Sequence, residues 1–219
     1  MTAFDHGGAP VRALRRLARA PTPPADVERC VRCGIALPPE HRHLLARGGA
    51  ALASLACVCT RCAPLYEGGA ADATYVVVPQ RYLALSEFAL SDAQWDDLMM
   101  PVNMAFIFLR GAARRAVAFY PSPAGATESL LTLEHWETLA RENPILASLT
   151  PDVEALLINR LREARDYYLV PIDACYELVG RIRANWRGLS GGEEVWRSVS
   201  AFYATLRAKS LVVRGAPDA

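Results

Sequence analysis

Five of the six cysteines and two of the four histidines of this 219-residue chain lie between Cys30 and Cys62. The stretch opens with Cys30-Val-Arg-Cys33-Gly34, passes through His41-Arg-His43, and closes with Cys57-Val-Cys59-Thr-Arg-Cys62. Two Cys-x-x-Cys pairs can direct four thiolates at one tetrahedral ion, the arrangement zinc prefers. Such a segment folds around its ligands or not at all, because it is too short to bury a large core. Cys30, Cys33, Cys59 and Cys62 are therefore the expected metal ligands. Gly34 suits the first turn, which calls for positive φ; Ala63, after the second pair, suits it less.

Seven donors exceed what one ion needs. Cys57, His41 and His43 remain as additional or alternative ligands: replacing a thiolate, completing a second site, or hydrogen-bonding to the first. Two residues apart on a strand, His41 and His43 point to one side. Cys57 also suits a redox-reactive neighbour of the site.

The thiol chemistry depends on compartment. Met1 to Pro24 holds no uninterrupted apolar run that could serve as a secretory core, and no stretch reaches the length of a membrane span. A cytoplasmic protein is expected, in which clustered thiols favour metal over disulfides. Apolar content of 52% and charged content of 21% are ordinary for a globular chain. The net charge of +1 divides into nine arginines against four acids up to Cys62, +5, leaving −4 for the remainder. That balance lacks the dense basic stripe of a dedicated DNA binder, so nucleic acid is an unfavoured partner.

The punctuation divides the chain into an N-terminal arm (1–25), a Cys-rich module (26–66), an α+β domain (73–209) and a tail (210–219). In the arm, Val11–Ala20 reads as a short helix before the Pro21–Pro24 linker. In the module, the runs 41–46 and 51–58 read as a hairpin around Gly48-Gly49. In the domain, 73–78, 103–110 and 114–120 read as strands, the last two as a hairpin across Gly111. Pro121–Gly125 reads as a loop. Ser91 predicts a helix N-cap, Thr132 a helix running to Asn143, and Thr150-Pro151-Asp152 the start of another. Asp166–Val170 is extended. Apolar stripes over 171–187 and 193–209 predict a C-terminal antiparallel helix pair. The expected class is α+β: a zinc-ribbon-like module, then a short antiparallel sheet with helices.

No catalytic set emerges. Gly188-Leu-Ser190-Gly-Gly192 has the letters of a nucleophile elbow, but a helix enters it where a strand is required, and no histidine follows. His135 reads as a helix-surface histidine and Cys175 as a buried small apolar residue.

Together, Cys30-x-x-Cys33-Gly34, His41-Arg-His43-Leu-Leu and Cys57-x-Cys59-x-x-Cys62 resemble an uncharacterised bacterial domain-of-unknown-function family. Ser91-Asp-Ala-Gln-Trp95, Tyr120–Ser129, Leu169-Val-Pro-Ile-Asp173 and Trp186–Gly192 are similar as well, so the resemblance covers about residues 25–208. Ala46-Arg-Gly-Gly-Ala-Ala51 departs from it, where a more polar turn is expected. Members of that family tend to be encoded near uptake nickel–iron hydrogenases. The resemblance implies an accessory or maturation role with a protein partner such as a hydrogenase component; joined to the cysteine spacing and the missing catalytic set, it gives the expectation of a non-enzymatic protein binding one zinc ion. The alternatives are a rubredoxin-like iron redox protein on the same four cysteines and a zinc-ribbon nucleic-acid binder.

Overall fold

The two runs flanking Gly111 pair antiparallel, as predicted: β5 (Met104–Arg110) and β6 (Arg115–Ser122) align Phe106 with Phe119 and Phe108 with Val117. The computed structural model describes residues 27–47, 55–69, 74–111, 114–129 and 133–214. The expected Val11–Ala20 helix, the Pro21–Pro24 linker and the Gly48-Gly49 turn lie outside the described residues.

Around this hairpin the sheet grows well beyond the short one expected. Among the described residues it has seven strands in the order β10-β4-β9-β8-β5-β6-β7. The other members are β4 (Leu83–Leu85), β7 (Gly125–Ser129), β8 (Glu154–Asn159), β9 (Asp166–Pro171) and β10 (Leu211–Val213). All neighbours are antiparallel except β10, which runs parallel to β4 at the edge. Residues 211–213, assigned to the tail from sequence, thus belong to the sheet. The Pro121–Gly125 loop is also tighter than expected: Ser122 ends β6, Gly125 opens β7, and the two are paired.

The helix expected from Thr150 is not there. Asp152 adopts φ 67° and accepts a hydrogen bond from the Gly111 backbone N–H at 2.8 Å, turning the chain directly into β8. Every residue of β8 is buried, so it shows no polar alternation and mimics a buried helix in sequence. Glu154 at its start is held by Arg81, whose Nε and terminal nitrogen donate to the two carboxylate oxygens at 2.9 and 2.8 Å. The Thr150 N–H adds a third bond at 2.9 Å. A buried carboxylate is tolerated only with such partners.

Strand parity sorts the central side chains to two faces. Met104, Phe106, Phe108, Leu157, Tyr168 and Val170 pack under α3 (Ile172–Asn185) and α4 (Gly192–Lys209). Ala105, Ile107, Leu109, Leu156, Ile158 and Leu169 face α1 (Asp92–Asp97), α2 (Leu133–Glu142) and the 3₁₀ turn Pro144–Ser148. Helices thus cover both sides. Ser91 caps α1 with a full capping box on Gln94. Helices α3 and α4 run antiparallel, with Asn185 reaching Ser198 and Arg181 lying over Phe202.

A second sheet of three strands, β2-β1-β3, carries the cysteine segment. It comprises β1 (Arg42–Ala46), β2 (Leu55–Val58) and β3 (Tyr75–Val77), all antiparallel. The strand expected from residue 73 onward therefore joins this sheet, not the large one. Leu45 and Val78 pack into the core beneath α3 and α4, so the small sheet is seated on the body. No helix among the described residues is long and apolar enough to cross a membrane.

Candidate metal centre

Two tight turns bring the Cys-x-x-Cys pairs together. In the first, the Gly34 N–H donates to the Cys30 carbonyl and the Cys30 N–H to the Ile35 carbonyl, both at 2.9 Å. Gly34 takes φ +71°, the conformation its lack of a Cβ permits. In the second, the N–H groups of Cys62 and Ala63 both donate to the Cys59 carbonyl at 3.0 Å. The chain then continues as the 3₁₀ helix Ala63–Gly69. A helical exit needs no positive φ, which explains why alanine suffices where glycine was expected.

The outcome is a cluster of Cys30, Cys33, Cys59 and Cys62 whose sulfur atoms all lie within 4.8 Å of one another. The Sγ atoms of Cys33 and Cys59 are 3.8 Å apart. None of the six cysteines is in a disulfide. Burial raises the Cys30 thiol, but backbone hydrogen bonds from Cys59, Cys33 and Arg32 outweigh it and bring the group down to about 6. Cys62 moves oppositely, pushed up to about 12, first by its hydrogen bond with Cys59 and then by burial. One thiolate is thus stabilised by the turn amides while its neighbours resist ionising beside it. A divalent cation removes that conflict by balancing the thiolate charges. The cluster could hold a metal ion.

Behind it lies a second group. His41, His43 and Cys57 also place their donor atoms within 4.8 Å of one another. His43 pairs directly with Cys57 across β1 and β2, and the two imidazole rings meet edge-on at 4.8 Å. The Nδ1 of His43 is 2.7 Å from Asp173 Oδ2 on α3, and that hydrogen bond raises the imidazole above its ordinary value despite burial. Burial and the Glu28 charge push the Cys57 thiol upward. Asp173 and Glu28 are site residues that sequence reading overlooks. Asp173 is 130 positions from His43, and nothing in the local letters signals the contact.

The remaining sequence candidates fall elsewhere. Cys175 lies on the buried face of α3, and burial carries its thiol well above the ordinary value. Ser190 sits in the connector between α3 and α4, which a helix enters. His135 is half-buried on α2.

The fold and site define a thiolate-turn module seated on a two-sided α/β/α layer. Residues 29–210 match the family of unknown function DUF5947, and the chain belongs to that family. No curated protein and no solved structure matches it.

Proposed function

We propose that this protein is a non-enzymatic zinc-binding accessory factor, with one structural zinc on Cys30, Cys33, Cys59 and Cys62 and a protein partner docked on the module. The convergence of four sulfurs within 4.8 Å carries the reading. An all-thiolate tetrahedral set suits zinc, which needs no redox change to hold a fold. The partner is supported by apolar side chains at the metal turns: Val31, Ile35 and Leu65 are 50%, 56% and 46% exposed. Arg32 and Arg61 stand exposed beside them, a mixed apolar and basic rim of the kind protein interfaces use. A hydrogenase component is the named candidate, drawn from the resemblance of the cysteine and histidine motifs.

The decisive experiment is metal content by mass spectrometry on protein expressed with both zinc and iron available, with a visible spectrum alongside. Zinc without colour, lost in Cys30→Ser and Cys62→Ser, is the expected result. Thiolate-to-iron charge-transfer bands would replace the structural role with electron transfer. Tagged protein should then retain a hydrogenase component in a pull-down, and clean recovery of the chain alone would remove the accessory role.

A further inference from the structure

We infer that His41, His43 and Cys57 form a second, independent site for a divalent metal ion, of the type with three protein ligands and one replaceable position. The tautomers decide which atoms are available. His41 Nδ1 lies 2.9 Å from the Pro38 carbonyl, which can only accept, so Nδ1 carries the proton. His43 Nδ1 faces the Asp173 carboxylate, which likewise accepts. In the neutral rings both Nε2 atoms keep their lone pairs, available to a metal.

His41 Nε2 supplies the observation that asks for a cation. The side chain is 4% exposed, and Nε2 is buried without a hydrogen-bond partner. Glu28 Oε2 lies 3.3 Å away. In the neutral ring, a lone pair therefore faces a carboxylate across a gap where a metal would bind both. Glu28 is 62% exposed at its side chain and free to yield its place to water.

The surroundings match how such sites are built. Metal-bound imidazoles usually donate their other N–H to a carboxylate or a backbone carbonyl, fixing ring orientation and raising basicity. His43 has the first arrangement and His41 the second. Two nitrogens and one sulfur are borderline donors that suit zinc and cobalt over magnesium or calcium. A cavity of about 530 Å³ lies beside the site, lined by both histidines, Gln80, Tyr82, Asp173 and Lys209. Because Asp173 comes from α3, a bound ion would also clamp the module to the body.

Titration with cobalt(II) of the full chain, freed of metal under reducing conditions, separates the two sites. Two equivalents are expected, with His43→Ala and Cys57→Ser each binding one while keeping the intense four-thiolate charge-transfer bands. Survival of that first equivalent shows that the variants still fold. Asp173→Asn should keep two equivalents but weaken the second roughly 10- to 100-fold against a competing chelator. A single equivalent in the wild type, or two undiminished equivalents in His43→Ala, overturns the site.

Discussion

The module and the body solve the same folding problem by different means. The body aligns apolar side chains on both faces of seven strands and roofs each face with helices, so hydrophobic burial suffices. Among the described residues, the module's own cluster contains only Cys30, Leu44, Val58, Ala63 and Tyr66 as buried residues, and its donor atoms are crowded together. Where apolar area is scarce, coordination can supply the missing free energy. The contrast sets an apolar-rich layer against an apolar-poor module crowded with donor atoms, joined by Leu45, Val78 and the His43–Asp173 hydrogen bond.

The sharpest way to break this contrast is to strip the proposed zinc from the four cysteines. Structural zinc contributes roughly 10 kcal/mol or more in small modules. Chelation under reducing conditions should therefore expose the backbone amides of residues 30–47 and 55–66 to hydrogen exchange while β5, β8 and β9 stay protected. Uniform loss of protection in both regions would show that the body depends on the metal too.

The converse test cuts into the body. Leu157→Ala opens a cavity in the central strand and should cost about 4 kcal/mol in urea unfolding. Metal stoichiometry at 25 °C should be unchanged while the variant remains folded.

Arg81→Ala comes next. It leaves Glu154 buried with only the Thr150 N–H as partner and should cost about 3 kcal/mol. Ser91→Ala removes half of a capping box and should cost about 1 kcal/mol. A gentler comparison uses thiol chemistry: iodoacetamide at pH 8 should modify the module cysteines of metal-free protein and leave Cys175 intact until global unfolding. Burial keeps Cys175 in its unreactive protonated form.

Local chemistry made much of this legible. Ser91 marked a helix N-cap in the letters, the runs around Gly111 wrote a hairpin, and two long apolar stripes wrote the helix pair. Strand β8 was illegible for a physical reason. A strand covered on both faces loses its alternation, and Thr150-Pro151-Asp152 imitates a helix start. Strand β10 was hidden because three residues at a sheet edge carry too little pattern to read.

The sequence by itself determined which donors exist and which could share a turn, since two Cys-x-x-Cys spacings and a His-x-His spacing constrain geometry locally. Only the tertiary structure decided that the cysteine pairs converge, that Cys57 stands opposite His43, and that Asp173 reaches back to the module. These are contacts between segments far apart along the chain. They depend on register and packing, which no local spacing encodes.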